Sequence, residues 1–180
     1  MDDAFVNAVA DAAEHALETM FHLRLLWQVA RSREQSQDSI IVRVPFSGMI
    51  NGQLALVISG PVASRISTLF LGSEAGSDAD LDDAIAELTH IIACNARLRL
   101  GRADAKIGLP SVERIGPTVA PGSVAIACEC GCGEFRIELV NMHFGSLPAG
   151  EPFRGLRSTR SSASQALPPD VSPRYEKVGP

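Results

Sequence analysis

Between Ser77 and Gly101 apolar residues return every three or four positions, at Leu81, Ile85, Leu88 and Ile92. At about 100° per residue these four share one narrow stripe, the pattern of a helix with one face in a core. Both ends carry boundary signals. Ser77, Asp78 and Asp80 offer N-cap side chains, and Asp82 and Asp83 place negative charge in the first turn, where the helix dipole favours it. Arg97 and Arg99 fall in the last turn, and Gly101 can take the left-handed conformation that stops the helix. Asp83, Glu87, His90 and Cys94 follow one another at steps of four, three and four on the opposite side. Neighbours on a helix surface at that spacing form one row of ionisable groups pointing away from the core.

The same reading places a second long helix over residues 3–27. Phe5, Val9, Ala12, Ala16, Met20 and Leu23 keep to one face, Asp11, Glu14, His15, Glu18 and His22 to the other, and Trp27 continues the apolar side. Residues 31–38 are polar throughout and read as a loop. Residues 39–46 and 53–59 are β-rich runs, and Asn51-Gly52 between them is a hairpin-turn dipeptide. Pro45 belongs near a strand end or an edge, because it cannot donate to a central ladder. Gly60-Pro61 opens a short helix carrying Val62, Ile66, Leu69 and Phe70, which stops at Gly72. Three more strand candidates follow: residues 105–115, 124–130 and 133–142. In the last, Phe135, Ile137 and Leu139 alternate with Glu134, Arg136 and Glu138, as in a half-buried strand. No repeat of short period is visible. This order predicts an α+β domain over residues 1–144, with long helices packed on a mainly antiparallel β-sheet.

From residue 145 onward the periodicity is lost. Six of the eleven prolines lie there, mixed with Ser, Arg and Gly, which reads as a disordered tail over 145–180. Charge divides at the same place. The net −5 combines −7 over residues 1–144 with +2 over the remainder. No basic stripe with interleaved aromatics is present, so nucleic acid is not the expected partner. No apolar run is long enough to span a membrane, and the acidic start Met1-Asp2-Asp3 is unlike a secretory leader; the expected location is the cytoplasm. Cys128, Cys130 and Cys132 stand too close together for a disulfide framework, which suits a reducing compartment.

The helix from Asp83 to Ala96, with Glu87, His90, Cys94 and Asn95 inside it, resembles the signature helix of the CheC/CheX/FliY chemotaxis phosphatases. That signature runs Asp or Ser, Glu four residues on, Asn three further, then a small-Gly-Asn-Ala run. Ala16-Leu-Glu-Thr-Met20 closing the first helix resembles the CheX branch. The Gly48–Ser59 hairpin, Gly108-Leu-Pro110 and Gly133-Glu-Phe135 fit the same pattern, so the resemblance covers roughly residues 5–142. It implies a phosphatase for the phospho-aspartate of a CheY-like receiver domain, with dimers in the CheX branch. In that family the Asn amide orients the attacking water and the Glu contacts the receiver's lysine. The Mg2+ ion belongs to the receiver, so no cofactor is expected on this chain. The resemblance assigns catalysis to Glu87 and His90, and partner contact to Asp83, Glu87, Cys94 and Asn95. CheC-type members carry two signature helices; here Asp11 to His15 does not reproduce the spacing. Two positions depart from the pattern: His90 stands where the family has Asn, and Cys94 where it usually has Gly.

Each of these residues has a plainer reading. Glu87 by itself is a solvated carboxylate on an exposed helix face, and Asp83 is explained by the helix dipole. His90 is either an exposed side chain without a role or an imidazole able to hold or deprotonate water. It lacks the paired donor and acceptor of an amide. The three hairpin cysteines are small side chains in a turn or a metal or redox site, but metal sites prefer Cys-x-x-Cys pairs. No metal site is therefore assigned, and Gly48-x-x-x-Gly52 lacks the Lys-Ser/Thr of a phosphate loop. Three functions follow: a CheX-like enzyme hydrolysing aspartyl phosphate with a His-for-Asn site, a non-catalytic module that binds a receiver or scaffold through the same face or the sheet edge, or a metal- or redox-sensing domain built on the cysteines.

Overall fold

The computed structural model describes residues 3–31, 39–101, 104–115 and 124–145. The elements are α1 (Asp3–Phe21), β1 (Leu26–Arg31), β2 (Ser39–Ser47), β3 (Ile50–Ser59), α2 (Gly60–Leu71), α3 (Asp78–Arg99), β4 (Lys106–Ile107), β5 (Ser111–Ile115), β6 (Val124–Cys130) and β7 (Gly133–Phe144). The expected loop at 32–38, the turn at 116–123 and the tail from 146 lie outside the described residues.

Seven strands form one sheet in the order β1-β6-β7-β3-β2-β4, with β5 also paired to β2, and every pairing is antiparallel. The alternation expected for β7 decides which face is covered. Phe135, Ile137 and Leu139 are buried, and they stand opposite Ile58, Leu56 and Leu54 of β3. This apolar face receives all three helices: Phe5, Val9 and Leu17 of α1, Val62 and Ile66 of α2, and Ile85, Leu88 and Ile92 of α3 join one core cluster. Phe5 sets its ring edge-on to Phe46 and Phe144, with centroids 6.0 and 5.2 Å away. The α+β reading, with helices on an antiparallel sheet, is what the structure has.

The opposite face carries a smaller cluster of Ile41, Ala55 and Val57, with Val140 packed against it. It also corrects one expectation. Glu138 is not a solvated residue of the polar face but is 4% exposed, and it accepts a hydrogen bond from Arg136 Nε at 2.8 Å.

Other differences come from local backbone chemistry. The first helix stops at Phe21 instead of running to residue 27. His22 adopts the left-handed conformation (φ 55), its N–H donates to Glu18 O, and the Leu23 N–H reaches back to Leu17 O. The left-handed residue that ends this helix is therefore not a glycine. Trp27 therefore sits on β1, an edge strand absent from the sequence reading, and Met20 is exposed. The β2–β3 turn falls at Gly48-Met49, before Asn51-Gly52. Asn51 instead braces that turn, its Nδ2 donating to Gly48 O at 2.7 Å. Gly52 lies inside β3 at a register shift, where φ is +140 and an added Cβ would meet Met142 and Asn141 under 3.0 Å. Pro45 occupies the gap between the β5 and β4 segments paired to β2, and its carbonyl accepts from the Gly108 N–H. The 105–115 candidate splits at Gly108-Leu-Pro110 into β4 and β5.

An internal two-fold relation emerges that no short-period pattern carries. The series α1-β1-β2-β3 and α3-β5-β6-β7 have the same element order. The first series lends β1 to β6 of the second, the second lends β5 to β2 of the first, and β3 meets β7 at the centre. The helices correspond position by position: Ala8, Val9, Ala12, Ala13, Ala16 and Leu17 are buried, as are Ala84, Ile85, Leu88, Thr89, Ile92 and Ala93.

Candidate functional site

Helix α3 starts and stops where its sequence signals lie. Ser77 Oγ accepts from the Asp80 N–H, Leu100 caps the other end, and Gly101 follows with φ +63. Asp78 and Asp80 occupy the first turn, which leaves Asp82 and Asp83 one turn further in. With Ile85, Leu88 and Ile92 in the core, the orientation of the helix about its axis is fixed. Its outer row is thereby set. Asp83 and Glu87 are exposed, and His90 and Cys94 are half-buried. Asn95, also half-buried, is turned about 100° from Cys94 and stands off this row.

The two adjacent aspartates have separate roles. Asp82 Oδ1 lies 2.7 Å from Arg114 Nη2, and the same guanidinium meets Asp78 Oδ2 at 3.4 Å. The hydrogen bond to Asp82 holds Arg114 above its ordinary titration range, with the field of both aspartates helping and partial burial opposing. Asp83 and Glu87 make no ion pair among the described residues. Their charge therefore faces outward unneutralised. Arg114 was missed from sequence because its partner is 32 residues away and no local pattern links β5 to α3.

At the centre of the row, His90 Nδ1 is shut off from solvent and has no hydrogen-bond partner among the described residues. The residue is half-buried and Nε2 is not among the closed-off atoms, so Nε2 is the ring nitrogen left to solvent. Nothing fixes its tautomer. The arrangement offers an outward imidazole nitrogen flanked one turn earlier by a free carboxylate. Such a pair can dock a cation and hold, deprotonate or attack a group brought to it.

The two-fold mate of this row on α1 is Asn7, Asp11, Glu14 and Glu18, with Glu14 in the place of His90. It has carboxylates but neither an imidazole nor an amide at the central place, which Glu14 fills, so only α3 presents the full set. The cysteines are not part of it. Cys128 and Cys132 are buried, Cys130 is half-buried, and all are free thiols at the β6–β7 hairpin. Burial, with a smaller contribution from Cys130, pushes the Cys128 thiol up to about 12. Among the described residues no group of three or more His, Cys, Asp or Glu side chains could hold a metal ion. A concavity of about 940 Å3 is lined by residues of β1, β3, β6 and β7 together with Val62 of α2. No residue of α3 lines it, and the chemistry is assigned to the α3 row. No helix among the described residues is long and apolar enough to cross a membrane.

The profile of the family described as chemotaxis phosphatase CheX matches residues 40–129. No curated protein sequence matches the chain. Among solved structures, a CheX chemotaxis protein from Desulfovibrio desulfuricans is similar at 22% identity and a TM-score of 0.65, over 77% of this chain and 99% of that one. The chemotaxis protein CheX from Vibrio vulnificus is similar at 18% identity and a TM-score of 0.65, over 77% and 96%. A chain of the CheX–CheY–BeF3–Mg2+ complex from Borrelia burgdorferi is similar at 15% identity and a TM-score of 0.58, over 77% and 97%.

Proposed function

Because the chain belongs to the chemotaxis phosphatase CheX family, we propose that it docks on a CheY-like response regulator and hydrolyses its aspartyl phosphate. The observation that carries this reading is the outward row of α3, where Asp83, Glu87 and His90 share one exposed side and neither carboxylate is neutralised. One solved relative of the fold is recorded in complex with CheY. Glu87 engages a cation on the receiver, Asp83, Cys94 and Asn95 complete the contact, and His90 orients the attacking water. Water oxygen bonds to phosphorus, the bond from phosphorus to the aspartyl oxygen breaks, and the carboxylate leaves with the electron pair. His90 accepts the proton of the water. On this reading a Mg2+ ion held by the receiver would stabilise the developing charge. A dimer belongs to the same proposal, supported by the edge strand β1, which pairs on one side only among the described residues and where Leu26 and Val29 are 55% and 59% exposed. So does a cytoplasmic place in two-component signalling.

The test is phosphate release from phosphorylated CheY-like receivers of the source organism, with wild type, Glu87→Ala, His90→Ala and His90→Asn. Hydrolysis accelerated by wild type and lost in Glu87→Ala and His90→Ala supports the enzyme. Binding without acceleration, with activity appearing only in His90→Asn, identifies instead a receiver-binding module with a degenerate site.

A further inference from the structure

We infer that His90 is a phosphoryl acceptor: docked on the receiver, it takes the phosphoryl group onto Nε2 and the chain becomes a transient phosphohistidine protein. The inference rests on the docking proposed above and replaces its water step. An amide nitrogen has its lone pair delocalised and cannot attack phosphorus, whereas a neutral imidazole nitrogen is one of the side-chain nucleophiles that form covalent intermediates. Putting His at this position therefore changes the kind of chemistry open to the site.

The geometry meets the three requirements of an acceptor. The first is a fixed ring. His90 lies in the middle of α3, between the buried residues Leu88, Thr89 and Ile92, and its Nδ1 is closed off from solvent. The second is a free lone pair on the outward nitrogen. A donor to Nδ1 would hold the proton on Nε2 and block attack, and no such donor is present among the described residues. The proton can therefore rest on Nδ1 while Nε2 presents its lone pair. The third is an anchor that brings the phosphorylated partner to the ring, supplied by Glu87 one turn earlier, exposed and free of an ion pair.

The step is balanced without a co-reactant. The Nε2 lone pair forms the N–P bond, the bond between phosphorus and the aspartyl oxygen breaks, and the carboxylate keeps the electron pair. The imidazole proton stays on Nδ1. Water then hydrolyses the N–P bond to phosphate, or a second receiver takes the phosphoryl group by the reverse reaction.

The experiment labels the CheY-like receivers of the source organism from acetyl [32P]phosphate, removes the donor and mixes each with the full chain in a rapid-quench series. His90→Gln, which keeps a polar side chain but no nucleophilic nitrogen, is run beside wild type, and binding of each to the receiver is measured separately. The expected result is label moving onto wild type, stable to base and lost in acid, with none on His90→Gln that still binds. Loss of receiver label as free phosphate, with wild type unlabelled at every time point, overturns the transfer and leaves the hydrolytic reading standing. Binding with the receiver's phosphate retained also overturns it. Absence of binding by wild type to any receiver sinks the docking reading and this inference together.

Discussion

Arg114 Nη2 stands 2.7 Å from Asp82 Oδ1, so a strand residue 32 positions downstream takes one of two adjacent aspartates out of the outward row. Asp82 belongs to the fold and Asp83 to the surface. Surface ion pairs contribute about 0–1 kcal/mol, because water screens them and ordering both side chains costs entropy. Asp82→Asn should therefore lower the unfolding free energy by about 0.5–1 kcal/mol, more at low salt than at high salt. Asp83→Asn should leave stability within about 0.5 kcal/mol of wild type and weaken receiver binding. Urea unfolding of both variants at two salt concentrations checks the division. Equal stability losses would remove the distinction.

Ser67 of α2 is fully buried, and its Oγ has no hydrogen-bond partner among the described residues. A buried hydroxyl without a partner loses its hydration and gains nothing in return. Ser67→Ala removes that oxygen, leaves the Cβ in place and raises helix propensity. The variant should gain about 1 kcal/mol in urea unfolding, with an unchanged dependence on denaturant. A loss of stability would show that the hydroxyl is satisfied in solution.

His22 ends α1 with φ 55, a conformation that crowds the Cβ of any L residue against its own carbonyl. Its side chain is exposed, so nothing is lost by removing it. His22→Gly should keep the two backbone hydrogen bonds to Glu18 and Leu17 and stabilise the protein by about 1 kcal/mol. Thermal unfolding of the variant reads this directly; a lower midpoint would mean that the imidazole makes an unseen contribution.

These residues also show where the sequence was legible. Helix α3 could be read almost whole because its signals are local: a serine cap, a four-residue apolar stripe and a glycine stop. Strands β6 and β7 were legible for the same reason, since alternation is a property of neighbours. The row Asp83, Glu87, His90 and Cys94 followed from helix geometry alone; the structure leaves Asp83 and Glu87 exposed and half-buries His90 and Cys94. What escaped depends on contacts between distant segments. Trp27 joined the apolar pattern of α1 because nothing in the sequence marks His22 as a left-handed residue, and only pairing with β6 makes Leu26–Arg31 a strand. Asn51-Gly52 carries a turn signature, yet the chain turns at Gly48, because β3 must keep its register with β2 and β7. Glu138 reads as solvated from its neighbours in sequence and is paired by its neighbour on the same face, Arg136.

Cys128 ties a single thiol to the alkaline limit of the fold. It is 3% exposed on β6, its thiol donates to Ile126 O at 3.6 Å, and burial pushes it from an ordinary 9.0 up to about 12. Between those two values the unfolded chain has lost the proton and the folded chain still holds it. The unfolded state then binds fewer protons, so the stability contributed below pH 9 is lost as pH rises toward about 12. The slope from this group approaches about 1.4 kcal/mol per pH unit in the middle of that window and vanishes below it. Burial raises the Cys132 thiol as well, which adds a smaller effect of the same sign. Denaturant unfolding under reducing conditions, from about pH 8 to about pH 10.5, should therefore show stability falling with pH in wild type and falling less steeply in Cys128→Ala. Contributions common to both proteins cancel in the difference. Parallel profiles for the two proteins would show that the folded thiol releases its proton in the ordinary range, and hence that the β6–β7 hairpin opens to solvent.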